Sequence, residues 1–251
     1  MELSLVLILL IVLSGFIKGF TGFGLSLILI SVLFEIGFQS FEILPILVPL
    51  FVILDLILYY EHRNDVKLDF KENFSLHPTT LMTLFLGILF GTYLLTVIDG
   101  SYLKLIFGVL TLIMLFFLVM KVDMHQMIIP SERKNGFFGM LAGILTGLFT
   151  MNGALPSLYL IYHQYPKKKY MVSLVTFLIL SDIILIAVYL FKDLFTISGF
   201  LISLQLFIMV LTGFLMGIFI RKYVSSKTFK SLVIAFLAIN SIKIIFDFFF
   251  L

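Results

Sequence analysis

The chain contains no cysteine and no tryptophan, and only 12% of its 251 residues are charged. Without cysteine there is no thiolate metal site and no thiol nucleophile. The low charge comes with 61% apolar residues and a mean hydropathy of +1.20. A soluble domain has about 45–50% apolar and about 25% charged residues. A soluble fold this apolar would expose large greasy patches, which monomers rarely tolerate. A soluble enzyme is therefore excluded, and a polytopic integral membrane protein is expected. No His-Glu-x2-His pair and no Gly-Lys-Ser/Thr phosphate cradle occurs, so neither metal nor nucleotide chemistry is indicated and no cofactor is expected. The net charge of +3 does not signal a nucleic-acid partner, because Lys and Arg sit in short loops between apolar runs. His62, His77, His125 and His163 lie in loops or at span ends. Met1-Glu2-Leu3 offers no basic n-region and no small-residue cleavage site follows, so the first apolar run reads as mature structure.

A membrane span needs about 20 apolar residues. Six runs fit: residues 44–60, 79–98, 102–120, 170–191, 199–220 and 229–250. Two regions do not. Residues 3–34 are too long for one crossing and are interrupted by Gly19-Phe20-Thr21-Gly22-Phe23-Gly24. Residues 136–162 have a similar break at Thr150-Met151-Asn152-Gly153, followed by Pro156. Each region reads as a re-entrant hairpin of two short helices. With the hairpin at 136–162, the loops at 61–78, 121–135, 163–170 and 221–230 share one face. They hold Arg63, Lys67, Lys71, Lys121, Arg133, Lys134, Lys167, Lys168, Lys169, Arg221, Lys222, Lys227 and Lys230. Only Lys104 and Lys192 fall on the other face. Cytoplasmic loops carry the excess of Lys and Arg, so the first face is the inner one. A single crossing at 136–162 would divide the charges almost evenly.

The chain also repeats at an offset of 126–128 residues. Gly15-x3-Gly19 matches Gly143-x3-Gly147, Asp55 matches Asp182, Gly87-x3-Gly91 matches Gly213-x3-Gly217, and Gly108 matches Ala235. The expected organisation is all-α: a first repeat over residues 1–122, a linker over 123–135 and a second repeat over 136–251. Each repeat is one hairpin plus three transmembrane helices. That unit has odd parity, so the two copies are inverted and both termini lie outside. Inverted repeats with broken helices are a transporter architecture.

Irregular backbone at membrane depth is tolerated only where it is buried in protein or lines a wet cavity. The two breaks therefore mark a candidate cavity. The outgoing hairpin arms start near Leu25 and Ala154, and a helix N-terminus offers free N–H donors and partial positive charge to an anion. Lys18 would add a full charge; Thr21, Ser26, Thr150, Asn152 and Ser157 supply neutral donors. The candidate substrate site is Lys18, Gly19, Thr21, Gly22, Phe23, Gly24, Thr150, Asn152 and Gly153. Gly87, Gly91, Gly213 and Gly217 read as helix-contact devices, and Lys243 as a snorkelling anchor. Asp55 and Asp182 are intramembrane carboxylates, functional candidates by default. They would bind a coupling proton or cation, or support the hairpins.

The stretch Gly15-Phe16-Ile17-Lys18-Gly19-Phe20-Thr21-Gly22-Phe23-Gly24 resembles the opening signature of the sulfite exporter TauE/SafE family of bacterial permeases. Gly139-x3-Gly143-x3-Gly147, running on to Asn152-Gly153 and Pro156, resembles its second half. Thr150 and Asn152 stand where the family commonly has glycine. The resemblance spans the whole chain. It implies a transporter, not an enzyme, in the bacterial inner membrane, exporting sulfite, an organosulfonate or a related anion. The expected partners are that anion and the lipid bilayer, with homo-oligomerisation left open. Two other classes stay open: a proton- or cation-coupled carrier of a different substrate built on Asp55 and Asp182, and a non-transporting membrane subunit.

Overall fold

A computed structural model describes residues 5–38, 40–62, 78–120, 132–162, 165, 167–221, 223, 242, 245–246 and 249. Helices fill it because a chain without water nearby satisfies its backbone N–H and C=O groups internally. Among the described residues, in chain order, these are α1 (Leu5–Thr21), α2 (Leu25–Ile36), α3 (Ser40–His62), α4 (Pro78–Val97), α5 (Gly100–Met120), α6 (Glu132–Phe149), α7 (Ala154–Tyr162), α8 (Lys167–Phe191) and α9 (Ile197–Ile220). Most of the expected span at 229–250 and of the linker at 123–135 lies outside the described residues, as do Ala235, Lys243, His77, His125, His163 and most of the basic loop residues; residues 132–135 of the linker belong to α6.

The protein is an all-helical polytopic membrane protein. Four described helices are long and apolar enough to cross a membrane: Leu44–His62, Pro78–Val97, Lys169–Phe191 and Ile197–Ile220. Their outward faces carry large apolar side chains such as Met82, Phe90, Phe200, Ile208 and Phe219, suited to lipid. α3 begins four residues ahead of the apolar run read from the sequence and continues through Pro45 and Pro49. Proline inside a membrane helix is tolerated where neighbours re-satisfy the freed carbonyls. Buried hydroxyls turn back onto their own helices: Thr146 donates to the Ala142 carbonyl at 2.7 Å and Thr111 to the Phe107 carbonyl at 2.8 Å.

Two helix pairs, α1 with α9 and α4 with α6, make the most extensive contacts, and glycine explains both. An added Cβ at Gly15 or Gly19 would land on the carbonyl oxygen of Val210 or Phe214, and one at Gly213 or Gly217 on that of Val12 or Phe16. On the other seam, Gly87 and Gly91 face the carbonyls of Met140 and Ile144, while Gly143 and Gly147 face those of Leu84 and Ile88. Backbones this close exchange dispersion contacts that larger residues would forbid, the usual source of helix association in lipid. Each seam joins a helix of the first half to one of the second. Between the seams, α3 packs on α8, with α3 also touching α9 and α8 touching α4. At the C-terminal ends of α3 and α9, Arg221 Nη2 lies 2.5 Å from Glu61 Oε1 and 3.3 Å from His62 Nε2.

Gly91→Val would drive a branched side chain into the Ile144 carbonyl. The expected loss is about 1–3 kcal/mol, the usual range for overpacking, seen as a lower melting midpoint in detergent. Gly100→Ala, where no atom lies within 4 Å of an added Cβ, should leave the midpoint unchanged.

Candidate functional site

Both interruptions are local backbone events with identifiable causes. α1 ends at Thr21, and Gly22 (φ 86°) and Gly24 (φ 90°) take left-handed conformations before α2 begins at Leu25. Glycine reaches that region at no steric penalty. The Thr21 hydroxyl bridges the gap: it lies 2.9 Å from the Ile17 carbonyl and 2.7 Å from that of Phe23, and accepts the Phe23 N–H at 3.2 Å. In the second interruption the left-handed position is taken by Thr150 (φ 48°). A β-branched residue there is an outlier. It is held by its own N–H donating to the Thr146 carbonyl and by the Met151 N–H reaching the Leu145 carbonyl. α7 then begins at Ala154.

The two interruptions meet. An added Cβ at Gly153 would press on Phe23, and a crevice of about 10 Å³, room for about one water, runs between them. Its walls include Lys18, Phe23, Gly24, Leu25, Ser26, Phe51, Asn152, Gly153 and Ala154. The first turns of α2 and α7 thus border the same space. Gly24, at the N-cap of α2, supplies no side-chain cap, so the first N–H groups of that helix are not capped by a side chain there.

Beside the crevice lies a buried polar cluster. Lys18 Nζ is 2.7 Å from Asp55 Oδ1, with the side chains 4% and 0% exposed. The ammonium also sits 5.2 Å from the centroid of the Phe51 ring, a cation–π contact; Phe51 is one turn before Asp55 on α3. On α8, Asp182 Oδ1 accepts a hydrogen bond from Asn152 Nδ2 at 2.6 Å, and the same amide reaches Ser181 Oγ at 3.2 Å. Asp55 on α3 and Asp182 on α8 are both fully buried where these two helices pack, near enough for each carboxyl to feel the other's charge. Asp55, beyond its ion pair, and Asp182 Oδ2 receive no hydrogen bond from a described residue. Further along, Ser157 and Tyr170 share a short hydrogen bond between α7 and α8.

The residues singled out from the sequence therefore divide. Lys18, Phe23, Gly24, Asn152 and Gly153 border the crevice. Gly19 faces the Phe214 carbonyl on α9, Gly22 faces Met171 and Leu174 of α8, and Thr21 and Thr150 spend their hydroxyls on neighbouring carbonyls. The reason is helical geometry: Gly19 sits one turn after Gly15 and shares its seam, about 100° round the helix from Lys18. Asp55 and Asp182 do not cap the backbone of either break; one pairs with Lys18 and the other with the side chain of Asn152. Sequence reasoning misses Ser181 and Phe51. Their signal is position: Ser181 adjoins Asp182, and Phe51 is four residues before Asp55, on the same helix face.

Two broken helices bring a buried lysine, an amide and two carboxyl groups together inside a helical membrane protein, and broken helices meeting in this way are a feature of transporter folds. The chain belongs to the sulfite exporter TauE/SafE family, whose model matches residues 7–244. It matches no curated protein and no solved structure. The family is one of membrane transporters, with sulfite and related sulfur anions as the class of cargo.

Removing one member of a buried ion pair strands the other, at a cost of about 3–5 kcal/mol. Asp55→Asn should lower thermal stability by that order, and adding Lys18→Met to it should recover most of the loss. A double variant no more stable than the single one would show that the pair contributes nothing to the fold.

Proposed function

We propose that the protein is a secondary transporter exporting a small anion, a sulfur oxyanion such as sulfite or an organosulfonate, by alternating access around the two glycine-rich breaks. The observation that carries this reading is the crevice between the breaks, bordered by a buried lysine and by the first turns of two helices. Two helix N-termini and one ammonium suit a compact oxyanion. Family membership supplies the substrate class.

In this reading the chain consists of two inverted halves, each a re-entrant hairpin followed by three crossings, in a bacterial inner membrane with both termini outside. The reciprocal seams support the halves, because exchanging α1 for α6 and α9 for α4 turns one seam into the other. The contact of Arg221 with Glu61 supports the topology, because it joins helix ends whose adjoining loops charge counting assigns to one face. Lys18, Phe23, Gly24, Asn152 and Gly153 form the substrate site. Thr21, Gly22 and Thr150 shape the breaks that create it, while Gly19 seats α1 against α9.

Counterflow in proteoliposomes tests the reading. Vesicles preloaded with unlabelled sulfite should take up labelled sulfite or a sulfonate faster than empty ones, and chloride should not substitute. A charge-assisted contact is worth about 1.5–3 kcal/mol, so Lys18→Ala should raise the half-saturation concentration by about 10–100-fold, with Lys18→Arg recovering part of it. Unchanged kinetics in Lys18→Ala would remove this residue from the site, and absence of exchange for every anion would overturn the assignment.

A further inference from the structure

We propose that Asp55 and Asp182 together form a proton-binding site linked to the anion through Lys18, so that one anion and one proton occupy the protein at the same time. The inference rests on the crevice being an anion site and adds the identity of the co-transported ion.

Lys18, Asp55 and Asp182 are the buried charged residues among those described. The groups facing the two carboxyls are few. α1 contributes Lys18, the break after α6 contributes Asn152, and α8 contributes Ser181 beside Asp182 and the buried Tyr189 hydroxyl two turns on. Among the described residues, α2, α4, α5, α7 and α9 bring no further buried charge to the cluster. Lys18 has two neighbours to serve, since its ammonium touches Asp55 while its side chain also borders the crevice.

Charge balance governs how the cluster responds to an anion. Two carboxyl groups buried at one helix contact and largely without donors are heavily penalised if both are ionised; one proton held by the pair relieves that penalty. With Lys18 the cluster is then neutral. An anion entering the crevice takes the ammonium as its counterion and leaves Asp55 without one. The cluster with its anion would carry one net negative charge in a low-dielectric interior, where an uncompensated charge is heavily penalised. Taking up one proton from the aqueous side open to the crevice, onto the carboxyl oxygen that Lys18 has released, restores neutrality. No bond of the anion is made or broken. When the anion leaves, Lys18 returns to Asp55 and the proton departs to the same side. Anion and proton therefore cross together, one to one.

Methanesulfonate is the probe, because its sulfonate stays ionised and takes up no proton itself. Proteoliposomes showing methanesulfonate counterflow are given a pH gradient of one unit, with the membrane potential clamped. One-to-one cotransport should drive the anion up to about tenfold accumulation on the alkaline side, since one pH unit corresponds to about 1.36 kcal/mol. Counterflow with no response to the gradient would overturn this inference and leave the transport reading standing; no counterflow of methanesulfonate or of sulfite would overturn both. Asp182→Asn should abolish the gradient response and Asp182→Glu should keep part of it, whereas a mere strut would show the same response in both. The wild-type measurement decides by itself if Asp182→Asn does not fold.

Discussion

A lysine and an aspartate buried in a protein that is itself surrounded by hydrocarbon can persist only as partners. The 2.7 Å contact between Lys18 and Asp55 is therefore a constraint on everything around it. It fixes the end of α1 against the middle of α3, just where α1 gives way to irregular backbone. From Asp55 the polar chain continues across the α3–α8 contact to Asp182, and from there through Asn152 to the second break. Four polar side chains thereby tie both interruptions to the two central helices. Breaking the first link leaves a charge with nowhere to go, which is why the breaks occupy defined positions.

The glycine seams do the complementary work. They bring α1 to α9 and α6 to α4 at backbone distance, which sets where the broken helices stand, while the polar cluster sets how their ends are turned. The division shows in α1 itself. Gly15 and Gly19 lie on one face and touch α9; Lys18 lies on another and touches α3. A single 17-residue helix thus carries both the contact that positions the break and the charge that equips it.

Much of the fold is legible in the sequence because membrane helices announce themselves by length and hydropathy, and because glycine runs mark where they stop. The starts of α2 at Leu25 and α7 at Ala154 come from that alone. The roles of individual residues are harder to read. Lys18 and Asp55 are both conspicuous, yet they are 37 positions apart on different helices, and only the crossing of α1 with α3 shows that one neutralises the other. Gly19 reads as cavity lining from its company in a glycine-dense motif, although its spacing from Gly15 already places it on the seam. Thr150 shows the limit from the other side: its left-handed backbone is a glycine-like conformation that nothing in its residue type reveals.

The pairing of α1 with α9 has a consequence for how the protein is made. Gly15 and its partner Val210 are separated by almost 200 positions, and a ribosome adding about 5–20 residues per second needs roughly 10–40 s to produce the second after the first. During that interval the first helix is in the bilayer with a groove meant for a backbone that does not yet exist, and with a lysine whose partner arrives only with α3. The nascent chain would need lipid, water or an insertion factor to occupy both places. Since α6 in turn packs on α4, neither half can complete its own core, and the partners become available in the order of synthesis: α6 for α4 first, α9 for α1 last.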